Sequence, residues 1–314
     1  LQTPPRIGYA SFDELYAQWE AYLAELTGYL VARQAEATQW VGQERPNPFF
    51  SALTADCIER GLDRAVGGVR YHGLTVEGFG WANLADALTS IKQLVFDEGR
   101  YTLAELTVAA QADFAGHEGL LADLRDCPKY GNADVEADAL AARVTATFAA
   151  LVTAHNHDNL YYLPSYHTLN VHVYAGAKLP ASLDGRRAGQ PLGKNAGPLP
   201  ENRRGPLTAL LLSASAIDQR ALSGGQALDI SVDPKLLADA EDRRKLQALL
   251  LTYFARGGLQ IQVNGLGAEE LREAIAEPHT HRDLIVRIAG YSARFVDLGL
   301  PVQEEMVQRF EVGL

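Results

Sequence analysis

Leu15, Trp19, Tyr22, Leu23, Leu26 and Leu30 recur at steps of three and four, the spacing of one helix face. Ser11 and Glu14 stand three apart ahead of this run, as a capping box requires. One long amphipathic helix is therefore expected from there to a stop before Gly42. Pro46-Asn47-Pro48 breaks it. The pattern then predicts a short helix over 52–61 closed by Gly61, and helices over 84–97, over 103–114 behind the cap residue Thr102, and over 135–154 after a turn at 128–132. Over 166–174 the period changes to two, with His167, Leu169, Val171 and Val173 on one side, which predicts a strand. Asp233-Pro234 opens a helix to about Arg256, 257–264 alternates as a strand, 268–277 is a helix, and an apolar run over 282–288 leads to Gly290.

The 314 residues suit about two domains at ~150 residues each, and an apolar share of 47% gives a globular chain a sizeable core. A formal net charge of −11 argues against nucleic acid as a partner. No run of eighteen apolar residues predicts a membrane span. Cys57 and Cys127 make no metal spacing and suggest a reducing compartment. With no basic segment and apolar core at the N-terminus, the expected location is the cytoplasm. Met306 is the single methionine, and Leu1 is not the small residue that initiator removal leaves. The chain is expected to be a piece of a longer polypeptide.

Three tempting motifs fail on spacing. Gly78-x-Gly80 has Asn83 where a dinucleotide fingerprint needs its third glycine. Gly189 to Lys194 is one residue short of a phosphate loop, and Asn195 stands where Ser or Thr would bind magnesium. His155 and His157 could share a strand face with His167 and His172 nearby, but no cysteine or carboxylate completes a metal set. No metal is assigned to this chain.

Gly290 lies between the apolar residues Leu284, Ile285, Val286 and Ile288 and the aromatic pair Tyr291 and Phe295. Taken alone it is a tight turn. Arg287-Ile-Ala-Gly290-Tyr291-Ser292-Ala-x-Phe295-x-x-Leu298, followed by Gln303 and Arg309, resembles the C-terminal signature of glycyl radical enzymes, the pyruvate formate-lyase-like family. The resemblance extends upstream through Pro48-Phe49-Phe50-Ser51, Asp56-Cys57-Ile58-Glu59-x-Gly61, Gly67-Gly68-Val69-Arg70-Tyr71, the stretch 78–88, Pro128-Lys129-Tyr130-Gly131-Asn132 and Asp184-Gly-Arg186-Arg-Ala-Gly189. Arg186 and Arg187 read either as ion-pair partners within the fold or as anion contacts.

The resemblance implies an α/β fold, the C-terminal half of a ten-stranded α/β barrel wrapped by helices. Residues 1–180 would belong to the pyruvate formate-lyase-like part and 181–314 to the glycine-radical domain. It implies a protein-based glycyl radical at Gly290, installed by a radical S-adenosylmethionine activating enzyme that uses an iron–sulfur cluster. The radical would pass to a cysteine outside this chain, on a missing N-terminal half or a cysteine-bearing subunit, and the thiyl would act on a small-molecule substrate. Cys57 matches a position in a helix after the catalytic loop, and Cys127 has no catalytic counterpart. The thiyl cysteine and the dehydratases' acid/base glutamate are both absent, so acyl cleavage, dehydration, decarboxylation and C–S or C–N lysis all stay open. His167, Asn170, His172, Asp184 and Arg186 fall on the barrel or substrate side, and the full enzyme would be a homodimer. A separate radical-bearing subunit, or a replacement part for an oxygen-cleaved enzyme, are the alternatives. Ile285, Val286, Ile288, Tyr291 and Phe295 are expected to form an apolar shell around the radical loop, with hinges at 265–267 and 278–281.

Overall fold

The computed structural model describes residues 8–232, 234–288 and 290–311. The first helix, α1 (Phe12–Glu44), starts where expected, with the Ser11 hydroxyl accepting from Glu14 N and the Glu14 carboxylate accepting from Ala10 N. It runs through Gly42, where a side chain would strike Val66 and glycine lets the two segments close. Its fully buried positions are Tyr16, Thr27 and Val31, whereas Leu26 and Leu30 of the expected stripe are exposed. Next come α2 (Pro48–Ala52), with Pro48 in its first turn and Asn47 as cap, and α3 (Cys57–Arg60), closed by a left-handed Gly61. The single helix expected over 52–61 is thus two, divided at Asp56, which itself has positive φ.

Strand β1 (His72–Glu77) precedes α4 (Trp81–Ile91), which continues as a π-helical stretch over Lys92–Asp97. Gly80, at φ 74°, lets α4 begin three residues earlier than its apolar pattern. Helix α5 (Leu103–Gln111) carries the full capping box of Thr102 and Glu105. After α6 (Glu118–Asp126) and α7 (Val135–Thr153) comes β2 (Leu160–Tyr166), and then α8 (Val171–Gly176). The strand expected over 166–174 is therefore misplaced. Asn195 Oδ1 accepts from both Thr168 N and Thr168 Oγ, and Leu169 turns at φ 48°, so the chain bends into α8 where local alternation suggested extension.

The remaining elements are α9 (Leu207–Ala216), β3 (Gly225–Gln226), β4 (Leu228–Ser231), α10 (Ala240–Ala255), β5 (Ile261–Asn264), α11 (Ala268–Ala276), β6 (Ile285–Arg287), β7 (Ser292–Arg294) and α12 (Leu300–Glu311). Asp233, the expected start of the long helix, lies outside the described residues; α10 is capped instead by Asp239, after a 3-10 turn over Pro234–Ala238.

These elements group into two compact units. One comprises the described residues through Glu77, Ala146–Ser165 and Ala221–Gly224. In it β1 and β2 pair in parallel, His72 against Leu160 through Glu77 against Ser165, and Tyr16 meets Thr147 through their hydroxyls at 3.0 Å. The other comprises Gly78–Thr145, Tyr166–Arg220 and the chain from Gly225 on. Here Trp81 stacks on Tyr166, meets Tyr130 edge-on and donates to Asn195 O. Strands β4 and β5 pair in parallel, and Leu228 and Ile230 join Leu207, Leu210, Leu211 and Tyr253 in one apolar cluster. A second cluster gathers Leu271, Val286, Ile288, Phe295, Met306 and Phe310 beneath the β6–β7 hairpin.

Asp138 lies within this larger unit, its Oδ2 accepting from Ser213 Oγ while Oδ1 has no partner. Burial pushes its carboxyl up to about 6 from 3.8. The folded chain thus holds this proton more tightly than the unfolded chain. Its contribution to stability is full below 3.8 and is lost as pH rises through about 6. Asp138→Asn should flatten that fall, roughly 2–3 kcal/mol, in denaturant unfolding across pH 4 to 7. An unchanged slope would place the titration elsewhere.

Candidate functional site

The hairpin carrying Gly290 is antiparallel, with Ile285 against Arg294, Val286 against Ala293 and Arg287 against Ser292. Its tip is closed by Ile288 N donating to Tyr291 O at 2.9 Å. Gly290 sits there at φ 81°, in the left-handed region that glycine occupies without steric cost. Neighbours do not demand a glycine: a β-carbon would meet only His167 Cε1, at 3.9 Å. Backbone conformation alone does.

The apolar shell expected around this tip is only half present. Val286, Ile288 and Phe295 are fully buried, but Ile285 is 62% and Tyr291 44% exposed. Alternation along β6 explains it, since burying Val286 turns Ile285 and Arg287 to the other face. Gly290 is itself exposed within this chain.

What fixes the loop is polar. Residues Asp229 and Gln262 are register partners on β4 and β5, as are Ser231 and Asn264, and all four are buried. Asn264 Oδ1 accepts from Arg287 N at 3.0 Å, and its Nδ2 donates to Arg287 O at 3.4 Å. Lys194 Nζ donates to Ile288 O and lies 3.5 Å from Asp229 Oδ1. Gln262 Oε1 accepts from Gly290 N at 2.9 Å. Three side chains thereby grip the backbone at three of four successive residues. Asp229 is held in turn by Asn195 Nδ2 at 2.7 Å.

Behind Lys194 the charges alternate. A cavity of about 30 Å³ is lined by Lys194, Asp229, Glu305, Arg309 and Arg203, among others. That is room for about one water. Arg309 Nε donates to Glu305 Oε1 at 3.1 Å, and His172 Nε2 lies 3.4 Å from the same oxygen without hydrogen-bond geometry. Burial opposes ionisation of Glu305, but the charge of Arg309 holds its carboxyl well below the usual carboxylate range, with the neighbouring His172 ring and the charge of Lys194 acting in the same direction. Lys194 is pushed down to about 8, first by burial and then by Arg309, with Asp229 and Glu305 opposing.

The residues singled out from sequence divide by position. His167 and Asn170 are half-buried beside the tip, and Asn170 Nδ2 reaches Tyr291 Oη at 3.5 Å. Arg287 reaches Ser292 Oγ at 3.5 Å on the exposed rim. Gln303 Nε2 ties α12 to the carbonyls of Phe295 and Leu298. His172 and Arg309 belong to the buried charge cluster. Asp184 accepts from Asn83 Nδ2 and Ser182 Oγ, and Arg186 is 2% exposed, donating to the carbonyls of Pro180, Arg187 and Gln190. Arg186 thus fits neither reading, ion-pair partner or anion contact: its guanidinium is a clasp on its own loop. Cys57 and Cys127 are free and buried, one in each unit. Among the described residues no group of three His, Cys, Asp or Glu could hold a metal. Sequence reasoning missed Lys194, Asp229, Gln262, Asn264 and Glu305. Gln262-x-Asn264 within an otherwise apolar alternation was the available signal.

Lys194 gives this arrangement a pH signature. Its folded value of about 8 lies below the ordinary 10.5, so between them the unfolded chain binds the extra proton. Stability should rise with pH across that window. Lys194→Met should lack the rise and be less stable by about 3 kcal/mol, because Asp229 loses its cation. Parallel pH profiles for the two proteins in denaturant unfolding would refute the titration.

A family model described as pyruvate formate lyase-like matches residues 1–176, and one described as glycine radical matches 192–296. The chain is 31% identical over 312 residues to (2S)-3-sulfopropanediol dehydratase of Klebsiella oxytoca, covering 97% of this chain and 38% of the relative. It is 27% identical to the glycyl radical subunit of 4-hydroxyphenylacetate decarboxylase of Clostridium scatologenes, covering 96% and 36%. Its fold matches the glycerol-bound B12-independent glycerol dehydratase of Clostridium butyricum with a TM-score of 0.93 at 29% identity, over 98% of this chain and 39% of that one. The chain thus spans under two-fifths of the length of these relatives, and its α/β structure corresponds to part of their α/β barrel. With a glycine-radical match that encloses the Gly290 hairpin, this chain belongs to the pyruvate formate lyase-like family of glycyl radical enzymes.

Proposed function

We propose that Gly290 stores an unpaired electron on its α-carbon and passes it to a cysteine outside this chain, whose thiyl takes a hydrogen atom from a small-molecule substrate. The observation that carries this reading is an exposed glycine whose flanking backbone is gripped by buried side chains while its α-carbon stays free. Loss of one α-hydrogen leaves a planar centre delocalised onto the amide nitrogen and the carbonyl. A β-carbon would clash with the flanking peptide groups on flattening, and glycine has none.

An open α-carbon suits both encounters the chemistry needs, with a radical S-adenosylmethionine activating enzyme and then with the cysteine. The stored electron also needs a dry cover, which we assign to the polypeptide that brings the cysteine. In this reading residues 181–314 form the radical domain, and the segments 265–267 and 278–281 are hinges for its exposure to the activator. Asn170 and His167 border the tip and are the groups nearest the transfer path. Dehydration and decarboxylation are the reactions of relatives, and the one performed here depends on residues beyond this chain.

Anaerobic activation of the enzyme containing this chain should produce an organic radical signal whose splitting changes with α-deuterated glycine. Gly290→Ala should cost only about 1–2 kcal/mol through its left-handed backbone, since no atom crowds the new methyl. A folded variant without signal is the expected result. A signal that persists in Gly290→Ala would remove the radical from this residue.

A further inference from the structure

Among the described residues, Gln262 is the one side chain that hydrogen-bonds the peptide nitrogen of Gly290. Its amide is only half used. Oε1 accepts from Gly290 N at 2.9 Å, while Nε2 is buried with no partner. Leaving a buried donor unpaired costs about 1–3 kcal/mol, more than one ordinary hydrogen bond returns. Within this chain an apolar residue at 262 would avoid that cost, and the exposed tip would leave Gly290 N–H to water. Beneath a dry cover the N–H needs an acceptor, and stability alone gives no reason for one that leaves its own Nε2 unpaired.

The radical does give one. We propose that Gln262 is a positioning residue that tunes the glycyl radical by accepting from the Gly290 N–H. This rests on the assignment of the radical to Gly290. The activator's radical takes one hydrogen atom, proton and electron together, from the Gly290 α-carbon, and the carbon left behind is neutral. Its unpaired electron is stabilised by donation from the adjacent amide nitrogen and withdrawal by the carbonyl. An acceptor on the N–H makes that nitrogen a better donor, so spin density moves from carbon toward nitrogen. The pleat fixes the geometry, because Gln262 and Asn264 project from the same face of β5. Asn264 holds Arg287 at both its N–H and its carbonyl, and Lys194 holds the carbonyl of Ile288. The anchors at Arg287 and Ile288 leave Gln262 to address the radical residue itself.

The test is electron paramagnetic resonance on the anaerobically activated enzyme, with 15N-glycine incorporated, comparing wild type with Gln262→Leu and Gln262→Glu. Gln262→Leu should show a larger α-proton splitting, a smaller 15N coupling and a shorter radical lifetime. Gln262→Glu keeps an acceptor oxygen whether ionised or protonated, and should restore both couplings toward wild type. Amide exchange at Gly290 in unactivated protein should speed up about two- to tenfold in Gln262→Leu, reporting the lost bond. Altered exchange with couplings identical to wild type would reduce Gln262 to a structural prop and overturn the proposal. Absence of a radical in wild type would instead defeat the assignment of Gly290, so the two failures are distinguishable.

Discussion

Hydrogen bonds in which Asn264 and Gln262 accept from the backbone N–H groups of Arg287 and Gly290, and Lys194 donates to the Ile288 carbonyl, hold the glycine hairpin in place. They require a polar sheet face inside an otherwise apolar unit. Strands β4 and β5 meet that need by alternation: Leu228 and Ile230 serve the apolar cluster under α9 and α10, while Asp229 holds Lys194 and Gln262 and Asn264 of β5 bond the hairpin. On the hairpin's own side, Val286, Ile288 and Phe295 bury against α11 and α12. The loop is thus packed from one side and bonded from another. Its tip is left open.

Such a polar layer is costly unless its charges cancel. Two cations, Lys194 and Arg309, face two carboxylates, Asp229 and Glu305, with His172 alongside. Removing one member leaves another charge buried without its partner, so the cluster stands or falls together. It also joins distant parts of the sequence, since α8, β4 and α12 each contribute. Lys194 touches both the cluster and the Ile288 carbonyl. The glycine hairpin is thereby tied to the C-terminal helix by electrostatics as well as by apolar packing.

Much of this was legible from sequence where a local cause decides it. The Ser11–Glu14 box, the Thr102 cap, the Gly61 stop and the α11 helix follow from caps and periodicity. The strand expected over 166–174 failed because its bend depends on Asn195, 27 residues from Thr168. Gly290 stood out through its flanking motif, but the side chains that grip it did not. Lys194 looked like a failed phosphate loop, and Gln262 and Asn264 stood only as members of an alternating strand. Their role exists only after β4, β5 and the hairpin meet. Exposure misled as well: Ile285 and Tyr291 read as cover for the radical loop and lie on its open side.

In the proposed function the carbon at the hairpin tip carries the unpaired electron. A backbone radical reacts with dioxygen at its own α-carbon, and the peroxyl product breaks the chain there. Mass spectrometry of activated enzyme after exposure to air should therefore find one truncated product ending near residue 289, with unactivated enzyme intact. A break elsewhere, or equal cleavage without activation, would mean that Gly290 is only a tight turn.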